Sequence, residues 1–176
     1  MTIDNLQAAF NGESNARAKY LAFAARADEE GYLAVASLFR AAAAAEAIHA
    51  ENHARVIRRM GGNPTADIAK PEVKSTRENL QVAIKGESYE RDVMYPDFIK
   101  QAKAEDNRAA IVTFENALAA EAEHARMYQD ALDHLEEWRG GKRDFYVCEV
   151  CGFTATTAPE RCPACKAKKE RFKVVN

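Results

Sequence analysis

From residue 1 to about residue 139 the chain interleaves small apolar and charged positions in a helical pattern. Ala, Leu, Glu, Lys and Arg dominate, and Gly31, Gly61-Gly62 and Gly140-Gly141 fall where helices would stop. The pattern predicts helix A over about 4–30, ended by Gly31, and helix B over about 32–60, stopped by Gly61-Gly62. It predicts helix C over about 76–104 and helix D over about 107–138, closed by Gly140-Gly141. Residues 63–74, NPTADIAKPEVK, hold two prolines and no helical period, and read as a connection. Two long helices, a longer connection and two more long helices predict an all-α four-helix bundle with one long crossover. At ~1.5 Å per residue each helix is about 40 Å long, which is enough to bury a core and to host a site at mid-height.

From Lys142 the pattern changes. The stretch FYVCEVCGFTATTAPERCPACKAKKERFKVV has short β-prone runs, turn residues and all four cysteines. The reading divides the chain into a bundle over 1–141 and a small metal-bound, β-rich domain over 142–176. The second piece has eight Lys/Arg against four acids, a formal charge of +4; with −2 for the whole chain, the first piece carries −6. A net charge of −2 points to neither nucleic acid nor membrane as a partner. Apolar runs fall short of the ~20 residues that span a bilayer, and the N-terminus has no basic flank followed by an apolar stretch, so no membrane segment or export signal is expected.

Inside the bundle the chain repeats itself. AAEAIHA at 44–50 returns as AAEAEHA at 119–125, and GES at 12–14 returns at 86–88. Glu46, His49, Phe39 and Tyr20 match Glu121, His124, Phe114 and Tyr95 at an offset of 75, while Glu13 matches Glu87 at 74. Duplication of a packing pattern explains the repeated Ala and Phe but not the repeated Glu and His. Glu46/His49 and Glu121/His124 are each spaced i, i+3, on one helix face. Their alanine neighbours suggest an inward, closely packed setting, where unpartnered carboxylates are very costly. A pair of metal ions supplies the missing positive charge. Glu13, Glu46, His49, Glu87, Glu121 and His124 together make the carboxylate-bridged di-metal pattern of four-helix bundles, one lone Glu from each of two helices and Glu-x-x-His from each of the others. Mixed carboxylate and imidazole ligands suit iron or manganese. A surface ion-pair reading of the same residues is disfavoured by the alanine-lined setting.

Two features break the repeat. Glu90, three residues after Glu87, adds a carboxylate where the first half has Ala16. The change of offset between Glu87 and Tyr95 leaves helix C one residue longer, which predicts a π-bulge within about 88–96, with a proline kink at Pro96 as the alternative. Tyr20 and Tyr95 lie one to two turns from the ligands, either hydrogen-bonded to them or simply core aromatics. His53, one turn past His49, reads as a surface residue or a support for the ligands. His134 reads as structural.

Cys148-x-x-Cys151 and Cys162-x-x-Cys165 make a tetrathiolate metal site. A piece of about 35 residues cannot build a sufficient core, so the metal holds it folded. Spacing alone does not separate iron from zinc. Beside a di-metal bundle, an electron-carrying iron is favoured.

With GES, EAIH, GESYE, MYP, EAEH, CEVCGF and CPAC in place, the whole chain resembles rubrerythrin, a ferritin-like di-iron bundle followed by a rubredoxin-like domain. The resemblance implies a cytoplasmic non-haem peroxidase that reduces hydrogen peroxide to water. It implies two non-haem irons and one rubredoxin-type Fe(Cys)4 held by Cys148, Cys151, Cys162 and Cys165. In the pattern of the family, Glu46 and Glu121 bridge the irons, Glu13 is terminal on one, and Glu87 with His124 on the other. Glu90 and His49 are alternative ligands to the first iron, and Tyr20 and Tyr95 support the ligands. The resemblance further implies an external NAD(P)H-dependent reductase or a rubredoxin as electron donor. It implies at least a homodimer as well, since the family's small domain commonly sits near the di-iron site of another subunit. Lys166 and Lys168 depart from the glycine and proline common at those positions. The alternatives are a ferroxidase or oxidase using dioxygen, an iron-handling protein, and a zinc-ribbon module on a structural bundle.

Overall fold

The computed structural model describes residues 1–176. Five α-helices are followed by a small three-stranded sheet: α1 (Thr2–Glu29), α2 (Leu33–Arg59), α3 (Thr76–Tyr89), α4 (Tyr95–Ala104), α5 (Arg108–Asp133), β1 (Phe145–Cys148), β2 (Thr154–Ala155) and β3 (Phe172–Val175). A π-helical segment, Glu90–Met94, joins α3 to α4 without a break, so the two form one long third helix. The expected four-helix bundle is therefore present, and the π-bulge lies inside the predicted window. The extra residue of the second half is absorbed immediately before Pro96, which has no N–H to give to a helical ladder.

Local chemistry sets the helix ends. Ser75 caps α3 in a reciprocal arrangement with Glu78: the Ser75 hydroxyl accepts from the Glu78 N–H at 3.3 Å, and the Glu78 carboxylate accepts from the Ser75 N–H at 3.2 Å. Asn107 caps α5 by accepting from the Ala110 N–H at 3.0 Å. Gly31 stops α1 at φ +79°, and the Tyr32 N–H closes back on the Ala27 carbonyl at 2.8 Å. The fourth long helix ends at Asp133, five residues short of the expected Trp138. Trp138 instead turns inward, stacks on Phe145 at 6.2 Å and joins the bundle to the small module.

The crossover between the two hairpins is pinned by side chains that the apolar pattern does not reveal. Gln7, Asn11 and Asn15 form an i, i+4 stripe on α1. Their amide oxygens accept from the N–H groups of Thr65, Asp67 and Ala69 at 3.3, 2.8 and 2.9 Å. An extended segment with no partner strand thereby satisfies its backbone donors. Helix α2 is long and apolar enough to cross a membrane by length and composition, which the reading of apolar runs did not anticipate. Its most apolar stretch is 72% buried inside the bundle, and the helix carries Glu46 and His49, as befits a core helix.

The bundle core divides into two apolar regions. One gathers Tyr20, Phe23, Phe39 and Tyr128; the other gathers Tyr95, Phe98, Phe114 and the ring of His53. Phe23 and Phe98 continue the 75-residue repeat, as do Phe39 and Phe114, so the two aromatic quartets are copies related by the duplication. The repeat also pairs His53 with Tyr128.

In the small module, β1 lies between β2 and β3, antiparallel to both, with Val147 opposite Thr154 and Cys148 opposite Phe172. The two cysteine turns are built alike. The Gly152 N–H closes on the Cys148 carbonyl at 2.8 Å and the Lys166 N–H on the Cys162 carbonyl at 3.0 Å. Both residues have positive φ, +80° at Gly152 and +65° at Lys166, so a lysine occupies a left-handed position that ordinarily goes to glycine.

Candidate metal centre

Glu13 on α1, Glu46 and His49 on α2, Glu87 on α3, and Glu121 and His124 on α5 are all buried and converge between the two aromatic regions. They form two overlapping groups of four. Glu13, Glu46, His49 and Glu121 make one; Glu46, Glu87, Glu121 and His124 make the other, with the ligand atoms of each within 4.8 Å of one another. Glu46 and Glu121 belong to both. Each imidazole turns Nδ1 inward. His49 Nδ1 lies 2.9 Å from Glu46 and 3.0 Å from Glu121, and His124 Nδ1 lies 2.9 Å from Glu121.

The donor set fits a pair of cations. Glu13 Oε2, Glu46 Oε1 and Glu87 Oε2 are buried oxygens with no hydrogen-bond partner. Orphaned carboxylate oxygens at this density are costly unless a cation meets them. The titration behaviour has the same origin. Burial, then the neighbouring Glu46 and Glu121 charges, pushes the Glu13 carboxyl well above the usual range; Glu87 is raised by burial and by Glu121 and Glu46. Burial pushes His49 down, but the Glu121 and Glu46 carboxylates overcome it and hold the imidazole up at about 10. Protons are drawn to this site because its carboxylates demand positive charge.

Supporting groups surround the six residues in a crossed pattern. The Tyr20 hydroxyl, on α1, donates to Glu87 at 2.5 Å, and the Tyr95 hydroxyl, at the start of α4, donates to Glu13. Each tyrosine thus reaches the carboxylate of the opposite half. Beyond Tyr95 the symmetry fails. His53 Nε2 lies 3.0 Å from the Tyr95 hydroxyl, and His53 Nδ1 lies 3.0 Å from the Thr113 hydroxyl. In the other half the equivalent Tyr128 packs on Tyr20 at 5.5 Å with its hydroxyl unpartnered. His53 is fully buried, so the surface reading of it is corrected: it is a buried support of Tyr95. Burial and the nearby His49 lower its pKa to about 3, which keeps it neutral and able to accept at one nitrogen and donate at the other.

Glu90 opens the π segment and belongs to neither group of four. Burial and the Glu87, Glu121 and Glu46 charges raise its carboxyl well above the usual range. His134 lies at the exposed end of α5, away from the cluster.

Cys148, Cys151, Cys162 and Cys165 form the second centre. None is disulfide-bonded, and the Sγ atoms of Cys148 and Cys165 lie 3.7 Å apart and those of Cys151 and Cys162 3.5 Å. A tetrahedral ion with bonds of ~2.3 Å to sulfur needs sulfurs about 3.8 Å apart, so the four fit without rearrangement. The Cys148 thiol is lowered to about 5 chiefly by the neighbouring Cys151 side chain, despite the opposing effect of burial.

The two centres are in contact, and sequence reasoning missed the residues that join them. Thr154, on β2, bonds His124 Nε2 through its hydroxyl at 2.9 Å. Gly152 packs so closely on His49 that a Cβ there would stand 2.4 Å from Nε2. Asn52 on α2 donates to the Val150 carbonyl, between two of the cysteines, at 2.9 Å. The family resemblance places the small module of one subunit over the site of another. Here the chain's own module takes that position, so both imidazoles are covered within one chain.

Comparison with known proteins decides what this combination is. A family model described as Rubrerythrin matches residues 4–132, and one described as Rubrerythrin, rubredoxin-like domain, matches residues 146–173. The chain belongs to the rubrerythrin family. It is 39% identical to Rubrerythrin-2 of Clostridium acetobutylicum, over 98% of this chain and 95% of the relative. It is also 39% identical to Nigerythrin of Nitratidesulfovibrio vulgaris, over 97% and 85%. The solved structure of fully reduced, all-ferrous nigerythrin superposes with a TM-score of 0.91 at 37% identity, covering 99% of this chain and 86% of that one. Mycobacterium tuberculosis bacterioferritin, at 21% identity and a TM-score of 0.71 over 77% of the chain, shares the bundle fold. The protein is thus a rubrerythrin-family di-iron protein with a carboxylate–histidine site in a ferritin-like bundle and a four-cysteine rubredoxin-like site.

Proposed function

We propose that this protein is a peroxidase that reduces hydrogen peroxide to water in the cytoplasm, with electrons from an external NAD(P)H-linked reductase or rubredoxin relayed through the cysteine site. The observation that carries the reading is the contact between the centres, Thr154 on His124 and Gly152 on His49. An iron store needs no such junction, and a zinc ribbon used for docking would not seat itself on two buried imidazoles.

In this reading Glu13, Glu46, His49 and Glu121 hold one iron, Glu46, Glu87, Glu121 and His124 the other, and the four cysteines a third. Bound there, the paired irons supply the two electrons that cleave the O–O bond, and the cysteine-held iron supplies the route by which they are replaced. The chain's own residues do the rest. Glu46 and Glu121, shared by both groups, hold the two ligand sets in register. Tyr20 and Tyr95 orient Glu87 and Glu13 through their hydroxyls and leave each carboxylate its second oxygen for a ligand. Two water molecules form only if protons arrive. Thr113, His53 and Tyr95 make a continuous hydrogen-bonded line from the α2–α5 surface to Glu13, along which a proton can be passed. Glu90, at a π segment whose ladder is already loosened, would be the carboxylate that serves as an alternative to His49 in holding the first iron. A homodimer that exchanged its small modules would make the same contacts in trans.

The test is single turnover. Reduced protein mixed anaerobically with stoichiometric peroxide should regain ferric tetrathiolate absorption faster than the same protein mixed with air-saturated buffer. Faster reoxidation by dioxygen would overturn the peroxidase reading in favour of an oxidase. Glu90→Ala should slow peroxide turnover; unchanged turnover would remove Glu90 from the mechanism.

A further inference from the structure

A cleft of about 420 Å³ opens where α2 and α5 meet the small module. It is lined by Arg55, Arg59, Arg108, Val112, Thr113 and Val150, among others, and no carboxylate is part of its wall. None of the three arginines is paired with an acid, although the chain has more acids than bases and seven of its other eleven arginines are paired. Val112 and Val150 are 57% and 38% exposed at the same place. Val150 sits inside the first cysteine turn, between Cys148 and Cys151, and its backbone is fixed to α2 through Asn52. Unpaired guanidinium groups around exposed apolar side chains, one bond network away from a metal-binding cysteine, have the make-up of a transient electron-transfer interface.

We propose that this cleft is the docking site of an acidic one-electron carrier protein, whose surface carboxylates meet Arg55, Arg59 and Arg108 and whose apolar contact is Val150. In each encounter the reduced carrier loses one electron and the ferric tetrathiolate site gains it through the Cys148–Cys151 turn, with no proton or bond exchanged. The inference rests on the peroxidase reading for its purpose, but the cleft can be tested apart from it. A surface of this kind acts mainly on association rate, falls off with salt and is sensitive to charge reversal.

The experiment uses the full-length iron-loaded protein and, as probe, a strongly acidic rubredoxin carrying zinc in place of iron, so that binding is read without redox chemistry. Calorimetry at low and high salt gives the Kd. Arg55→Glu combined with Arg108→Glu should weaken binding ~10-fold or more at low salt and flatten the salt dependence. Arg17→Glu combined with Lys85→Glu, which reverses as much charge on α1 and α3, should change the Kd less than about threefold. Equal weakening by both pairs would overturn the proposal in favour of net charge alone. Displacement of the probe by inorganic phosphate beyond that caused by chloride at matched ionic strength would overturn it in favour of a small-anion site. Peroxide-driven reoxidation of the chemically reduced double variant should match that of the unsubstituted protein. Its loss in both proteins would remove the peroxidase reading while the binding result still decided the cleft.

Discussion

Replacing Gly152 by alanine tests the junction between the two centres at a single atom. The added Cβ would stand 2.4 Å from His49 Nε2, 2.7 Å from its Cδ2 and 3.1 Å from the Ala45 carbonyl oxygen. The imidazole is buried and its Nδ1 is held by Glu46 and Glu121, so it cannot swing aside without leaving the carboxylates. The backbone carbonyl on the other side cannot move at all without bending α2. Gly152 also has φ +80°, where a side chain costs ~1–2 kcal/mol. Driving His49 off its rotamer adds ~0.5–1.5 kcal/mol. The sum, about 1.5–3.5 kcal/mol, corresponds to a fall of roughly 3–14 °C in Tm for a chain of this size. The assay pairs a thermal melt of the iron-loaded protein with stopped-flow reoxidation by peroxide. The tetrathiolate absorption of the variant should be unchanged at room temperature, since the cysteines are untouched, while reoxidation slows as the module lifts from His49. An unchanged Tm with an unchanged reoxidation rate would refute the junction. Loss of the absorption itself would mean the substitution broke the cysteine turn rather than the contact.

Further outcomes can be checked. Lys166→Gly should stabilise the iron-loaded protein by ~1 kcal/mol, because it relieves a left-handed lysine at φ +65°, and the gain would be read as a higher Tm. Thr113→Val removes the outer member of the Thr113–His53–Tyr95 line and should lower peroxide turnover while leaving metal content by elemental analysis unaltered. His53 has its pKa lowered to about 3 by burial and His49. Its unfolded form, near the ordinary histidine value of ~6.5, binds more protons between the two, so its contribution to stability is present above that value and lost as pH falls towards 3. His53→Asn should therefore flatten the acid limb of the stability–pH profile, measured by denaturant titration. Removing the metal from the four cysteines should unfold the strands of the small module while the bundle helices persist, a difference visible in hydrogen exchange.

Much of this molecule is legible in one dimension because duplication writes the site twice. The 75-residue repeat points to Glu46, His49, Glu121 and His124, and the slip to 74 at Glu87 points to the π segment. Helical spacing then dictates that these side chains share a face, and burying them dictates a cation. Spacing also fixes the cysteine site, since two C-x-x-C turns bring four sulfurs to one point whatever surrounds them. Other features depend on which surfaces meet. Asn52, Gly152 and Thr154 are ordinary residues in sequence and become a junction only when β2 and the first cysteine turn settle on α2 and α5. His53 was ambiguous because a lone histidine one turn past a ligand is solvated or buried according to its neighbours, and here Thr113 and Tyr95 bury it. The three unpaired arginines of the cleft are scattered over α2 and α5 and become one surface only when those helices pack. Ligand identity is a local property of spacing and residue chemistry, which a chain carries in itself. The coupling between centres is a property of contacts between segments up to about a hundred residues apart, and only the folded packing decides it.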